Sequence, residues 1–467
     1  MKPLTFPLVS VIIPTYNRSA LLKETVDSVL AQTYPAIECV VVDDGSTDDT
    51  PQVLAQYGNR IINVRTANQG GTKARNVGIA AAHGEFLNFL DHDDLMLPTK
   101  IERQMEVLRA RSKIGLVHCG YYRMDKDGHY LDVVNFLPEG DVRAVIVQGC
   151  FMWSGAPLIR RQVIDKVGVF DPEVYSSDQD LWLRIALADY RFGCVQEPLG
   201  AYRILPNSSM NDVEATERLD MPILKRVFAD PRLPEEARRM RRRAYFNQRF
   251  WLACRYYAVG SWQDAQRNLK VALHLRREIA EQPSELVNLF IVNAFDPRVP
   301  DPLTFITNLL EHLPCEVKKT IDPLQSTMFA WVYFGLAMRK YASRDLEQAR
   351  QNFLETIRLD SNLEQHSREY ARSLVDYALR LPLQPLDYIK TVLANLPPEG
   401  QPLSRLRRLI ISETSLARAF QDYWCGKRRL VPARVLTALY YRPGLVRNRG
   451  ALAIFMRSLP ALLPFIS

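Results

Sequence analysis

At 467 residues the chain is too long for one ordinary core, and two or three domains are the natural division. With 47% hydrophobic and 24% charged residues it has the composition of a soluble globular protein. The net charge of +8 reads as diluted over the whole chain; it suits a phosphorylated ligand or an anionic membrane surface. There is neither a concentrated basic face nor a recognisable nucleic-acid module, so nucleic acid is not the expected partner.

The seven cysteines are scattered, with no CxxC pair, which argues for reduced thiols in a cytosolic setting and against a disulfide frame or zinc site. Residues 1–13 lack the pattern of a secretion signal, and no window reaches about 18 uncharged apolar residues. The expected location is therefore the cytoplasm, at most peripheral on the inner face of a membrane.

In chain order, "LVSVII" (8–13), "ECVVV" (38–42), "RIINVR" (60–65) and "EFLNFL" (85–90) read as strands, with helical patterns between them. This alternation predicts a mostly parallel, doubly wound α/β sheet, which binds ligands at the carboxyl ends of its strands. The clusters following the strands, "PTYNR", "DDGSTDD", "TANQGG" and "DHDD", then gather on one rim. Past residue 114 mixed strands follow, including a hairpin with Asp127-Gly128 at its turn, then helices near 160–166 and 178–190 and a strand near 192–196. After about residue 212 the strand signals stop. Two stretches of helix–turn–helix pattern, "YYAVGSWQDAQRNLKVALHL" and "FGLAMRKYASRDLEQARQNFLETIRLDSNL", with "FQDYWCGKRRLVPARVLTALYYRP" as a candidate third, resemble degenerate tetratricopeptide units, with a plain helical bundle as the alternative. The division is a domain over 1–212 and a helical region over 213–467.

Four clusters can carry chemistry. Asp43 and Asp44 reach the rim at a strand end, where an Asp can accept from a base N–H or a ribose hydroxyl; Ser46 and Thr47 suit turn and cap duty. Gly70 and Gly71 open a helix with Lys73 and Arg75 in its first turns, a setting that suits a pyrophosphate. In "DHDD", alternation puts Asp91 and Asp93 on one side, the arrangement of a hard-cation pair, and leaves His92 and Asp94 pointing away, with a solvated acidic loop as the alternative. Asp178 and Asp180 open the helix "DLWLRIA", where the dipole favours carboxylates; one of them is explained by capping alone.

These motifs, "VSVIIPTYNR", "VVVDDGSTDDT", "NQGGTKARNVGIAAAHGEFLNFLDHDD" and "VGVFDPEVYSSDQDLWLRIA", in this order and spacing resemble the family-2 glycosyltransferases, inverting enzymes with the GT-A fold. The resemblance covers about residues 7–210. It implies transfer of a sugar from a nucleotide-diphosphate donor, UDP-linked by the family's habit, to an acceptor hydroxyl on a glycan, lipid-linked carrier or protein. It further implies that Pro14, Tyr16 and Asp44 hold the base and ribose, that Arg75 lies near the diphosphate, and that Asp91 faces the donor. Asp93, with Asp91 beside it, would hold Mn2+ or Mg2+, and Asp178 would be the general base. Trp153 and Asp180 are candidates on the acceptor side, with a core tryptophan and a helix cap as the alternatives. Two positions depart from the family: Ser177 replaces the Glu of a Glu-Asp pair, and Leu205 stands where a metal-binding His often follows "YR". These departures support a rival, a nucleotide-sugar-binding scaffold with decayed catalysis whose helical half docks partners.

Two basic or apolar segments remain. Arg238, Arg239, Arg241, Arg242 and Arg243 read as a solvated helix face, with contact to anionic lipid or a phosphorylated carrier as the alternative. The closing run "ALAIFMRSLPALLPFIS", interrupted by Arg457 and two prolines, reads as a last core helix, or as a segment lying on a membrane or in a groove.

Overall fold

The computed structural model describes residues 6–135, 137–174, 176–205, 212–360 and 362–459; the stretch 206–211 and the last eight residues of the C-terminal apolar run lie outside them. The chain forms two compact units, residues 1–252 and 253–467.

The first unit is built on one mixed sheet. β1 (Val9–Thr15), β2 (Ile37–Asp43), β3 (Ile62–Arg65) and β4 (Phe86–Phe89) pair in parallel in the order β3-β2-β1-β4. Beyond β4 the sheet continues through β8 (Leu158–Arg160), β6 (Ile114–Met124), β9 (Arg191–Arg203) and β5 (Leu95–Met96), with β7 (Tyr130–Val134) on the side of β6 as the predicted hairpin. β8 is antiparallel to both β4 and β6, so the half beyond β4 is not a continuation of the parallel winding.

β1, β2 and β4 read as near-continuous apolar runs because both faces are covered, while the edge strand β3 alternates half-buried and exposed residues. α1 (Ser19–Leu30), α2 (Thr50–Ala55) and α3 (Gly71–Ala81) follow β1, β2 and β3. α4 (Lys100–Ala110), α5 (Arg143–Ile146), α6 (Arg161–Val167), α7 (Ser177–Leu187) and α8 (Val213–Ala229) complete the elements used below. Val11, Ile12, Ile13, Val40, Val41 and Val42 form the centre of a core that also takes in Leu181, Ile185, Ile223 and Val227 from α7 and α8. α3 lies close enough to the sheet that a Cβ on Gly78 would stand 2.3 Å from Ile12 Cγ2.

Among the described residues the second unit is helical throughout, and no helix is long and apolar enough to cross a membrane. Its helix–turn–helix connections share one geometry. Gly260, Arg344 and Gly426 each have positive φ (83°, 61° and 75°). In each turn the next residue's N–H reaches a carbonyl five residues back, from Ser261 to Tyr256, Asp345 to Lys340 and Lys427 to Asp422. This is the Schellman closure of a helix C-terminus. The first two copies share more: buried Tyr257 and Tyr341 donate their hydroxyls to the carbonyls of His312 (3.3 Å) and Asn395 (3.0 Å), each ending a helix that begins Pro-Leu. The recurrence is thus near 84 residues with further helices inside each copy, where contiguous tetratricopeptide units recur at about 34.

Filling the approach of α3 to β1 should destabilise the first unit. Gly78→Ala is expected to lower stability by about 1–3 kcal/mol, read as a lower melting temperature by circular dichroism with secondary structure retained below the transition.

Candidate active site

The parallel strands end on one rim, and the polar clusters that follow them meet there. At the end of β1 Pro14 is buried, its carbonyl accepting from His92 Nδ1 at 3.1 Å, while Tyr16 is exposed beyond the strand. After β2, Asp43 binds inward, accepting from Ser46 N at 2.8 Å and Arg65 at 2.9 Å. Asp44 is also buried, and both of its oxygens face the loop before α3. They accept from Thr66 Oγ1 (3.0 Å), Gln69 N (3.1 Å) and Gly70 N (2.8 Å). Asp44 therefore shapes the turn that presents the N-terminus of α3.

The four residues of "DHDD" have four different environments. Asp91 is ion-paired with Arg75 and accepts from Ser154 Oγ at 2.7 Å. Burial alone would raise its pKa, but Arg75 and Ser154 reverse this and hold it below the usual carboxylate range. His92 turns back to Pro14 and is not directed at a cation. Asp93 is half-buried, and among the described residues its carboxylate has no hydrogen-bond partner on another residue. Burial raises its pKa, and Asp91 adds to the rise against the opposing charge of His92.

Asp94 is fully buried, accepting from the Trp153 indole N–H at 2.5 Å and from Arg203 N at 2.9 Å. Burial and the neighbouring Asp93 and Asp91 push its pKa well up. Its backbone carbonyl takes Thr25 Oγ1 at 2.9 Å, so α1 grips the same turn.

α7 brings the second pair of carboxylates. Asp178 stands in its first turn, half-buried, accepting from Gln179 N at 2.8 Å. Burial raises its pKa and the nearby Arg75 charge opposes the rise. α7 is fixed against α3 by the Thr72–Ser177 hydroxyl contact (3.1 Å), and the loop before it by the reciprocal bonds of Asn76 with Phe170 (2.9 and 3.0 Å). Arg75 thus pairs directly with Asp91 and lies within electrostatic reach of Asp178. Asp180 has a different setting, buried and bound by Arg184 (2.8 Å) and Arg226. Trp153 is only 5% exposed and packs beside Tyr121 with ring centroids 5.5 Å apart. Burial and pairing fit the core and structural alternatives for Trp153 and Asp180.

Three further side chains support the site. Ser154 orients Asp91 from a loop between β7 and β8. Arg203 ties the far end of β9 to the acidic turn, donating to the Asp93 carbonyl (2.9 Å), to Glu24 (2.7 Å) and to the Lys126 carbonyl (3.2 Å). Asp220 on α8 holds Ser176, the residue just before α7, accepting from its N–H (2.9 Å) and its hydroxyl (2.5 Å). Only Arg203 had a signal, in "YR". Asp125, Asp127 and His129 also cluster closely enough for a cation, but on the exposed hairpin turn, where Asp125 accepts from the backbone of the other two.

Residues 10–168 match the family profile described as glycosyl transferase family 2. The chain is 35% identical over 229 residues to an uncharacterized glycosyltransferase of Rickettsia typhi, spanning 46% of this chain and 68% of that protein. It is 33% identical over 223 residues to the putative teichuronic acid biosynthesis glycosyltransferase TuaG of Bacillus subtilis, spanning 45% of this chain and 85% of that one. Among solved structures, it is similar to the mannosyltransferase PcManGT from Pyrobaculum calidifontis in complex with GDP-Man and Mn2+. That likeness has a TM-score of 0.44 at 20% identity and covers 66% of this chain and 88% of the other.

Removing the indole N–H leaves a buried carboxylate oxygen with one donor fewer. Trp153→Phe is expected to cost about 1–3 kcal/mol, seen as a lower urea midpoint at unchanged slope.

Proposed function

This chain belongs to glycosyl transferase family 2, and from that membership we propose that it transfers a sugar from a nucleoside-diphosphate donor to an acceptor hydroxyl by a single inverting displacement. The observation that carries the reading is the contrast within "DHDD": Asp91, His92 and Asp94 each have partners, while the half-buried Asp93 carboxylate has none on another residue among the described residues. A half-buried carboxylate beside a second one is the donor set of a hard divalent cation.

The residues fit the group the family implies. Asp93 would hold Mn2+ or Mg2+ together with the donor's own phosphates, with Asp91, already engaged by Arg75, on the donor side. The cation would supply charge neutralisation for the departing diphosphate. Pro14, Tyr16 and the Asp44-organised turn would receive the base and ribose, and Arg75 at the start of α3 would face the diphosphate. The catalytic residues all lie within 1–212.

On the opposite face of the sugar, Asp178 would act as general base. Burial raises its pKa against the opposing charge of Arg75, so it binds a proton more readily than an exposed Asp. The acceptor hydroxyl gives its proton to Asp178 as its oxygen bonds to the anomeric carbon. The bond from that carbon to the diphosphate oxygen breaks in the same step, and configuration inverts. A uridine nucleotide is the proposed donor carrier, from the family resemblance. A surface-polysaccharide acceptor is the proposed class, from the likeness to TuaG.

Asp178→Asn should reduce Mn2+-dependent transfer by about 10²–10⁴-fold while leaving donor binding by thermal shift intact. Loss of donor binding together with activity would remove Asp178 as the base. Donor binding by the wild type without turnover on a broad acceptor panel would favour the scaffold reading.

A further inference from the structure

The net charge is not diluted along the chain. Residues 425–467 contain eight basic side chains and no acidic one, which equals the +8 of the whole protein and leaves the preceding residues neutral overall. The basic residues are Lys427, Arg428, Arg429, Arg434, Arg442, Arg447, Arg449 and Arg457.

This basic end also exposes large apolar side chains. The helix Val431–Tyr441 buries Val431, Val435 and Ala438 on one side and turns Leu436 (55% exposed) and Tyr440 (79%) outward, four residues apart on one stripe. The helix Arg449–Ser458 buries Ala451, Ile454 and Ser458 and turns out Arg449, Leu452 and Met456 (62%). Trp424 is 68% exposed where the preceding helix ends. Both helices are therefore apolar on the inside and again on the outside, with arginines flanking the outer stripe. Arg434 and Arg442 are drawn to Asp422 and Glu413, upstream of the basic segment. Among the described residues Arg447, Arg449 and Arg457 meet no carboxylate.

A solvated face does not need outward Leu, Tyr, Met and Trp, and an ordinary apolar protein interface does not need undiluted positive charge. An anionic bilayer surface matches both: headgroup phosphates complement the arginines, and the interface accepts aromatic and apolar side chains. We propose that residues 424–458 dock the protein on the surface of an anionic phospholipid membrane, without spanning it. The proposal is independent of the donor or acceptor used in the first unit. The arginine run at 238–243 belongs to the first unit. Arg238 is spent on the Leu233 and Asp230 carbonyls (2.9 and 2.6 Å), and Arg239 pairs with Glu235.

The test uses the full chain and sedimentation with vesicles of phosphatidylcholine alone or with about 30% phosphatidylglycerol, at roughly 0.1 M salt. The wild type should partition to the anionic vesicles about tenfold more than to the neutral ones, and lose most of that preference at roughly 0.5 M salt. The triple variant Arg447→Glu, Arg449→Glu, Arg457→Glu should abolish the preference. The triple variant Leu436→Ser, Tyr440→Ser, Met456→Ser should weaken binding at low salt too. Both changes are at exposed positions, and unaltered melting curves will establish that each variant is folded. Equal partition to neutral and anionic vesicles, or binding unaffected by the arginine variant, would overturn the proposal. So would vesicle-free dimerisation by light scattering that the apolar variant abolishes, or retention on duplex DNA in preference to vesicles.

Discussion

The buried carboxylate of Asp94 is the constraint around which the first unit's rim is arranged. It receives the Trp153 indole and the Arg203 backbone amide, while its own carbonyl receives Thr25 from α1. These bonds join a helix, an irregular loop and the end of the longest strand at one point. A carboxylate taken from water at this cost is held by its donors, because removing one of them leaves an uncompensated polar atom. The immediate consequence is local: a turn closed by the Asp94 N–H on the Asp91 carbonyl (3.1 Å), in place of the extended segment expected from sequence, sets Asp94 inward and leaves the Asp93 carboxylate without a partner on another residue among the described residues.

The same logic distributes charge on the other side of the site. Arg75 is the cation shared by Asp91 and Asp178, and its position is set by packing. Phe170 lies under its guanidinium at 5.7 Å, and Asn76, one residue on, is bonded to the Phe170 backbone. The pKa of Asp91 is held down and that of Asp178 is raised, so two carboxylates near one arginine are shifted in opposite directions. Ser177 takes part by meeting Thr72, a contact a longer acidic side chain at that position would have to displace. Substitution here thus joins α7 to α3 through hydroxyls.

The second unit follows a different economy. Its turns are closed by left-handed residues and its helix ends by tyrosine hydroxyls, so equivalent contacts recur at a long interval. The basic, acid-free end departs from that pattern: Tyr423, at the place of Tyr257 and Tyr341, is only half-buried, Trp424 beside it is exposed, and further apolar side chains face outward.

Much of this was legible in sequence, for identifiable reasons. Apolar β-branched runs and the polar clusters ending them marked the first four strands and their rim; the period-two reading of Asp91–Asp94 did not hold, because residues 92 and 93 form a turn. Helix content after the sheet was evident from period alone. What sequence could not supply was partnership across distance. Ser154 lies 63 residues from Asp91, Arg203 109 from Asp94, and Asp220 44 from Ser176. The antiparallel turn of the sheet at β8 rests on a three-residue strand too short to carry a periodic signal. The charge at the C-terminal end was present in the sequence, but its meaning depended on knowing which apolar neighbours face out. Local chemistry and period are properties of the chain. Which carboxylate is buried, which is paired and which is left open are decided only when distant elements close around them, because burial and hydrogen-bond satisfaction are set by neighbours that only folding brings near.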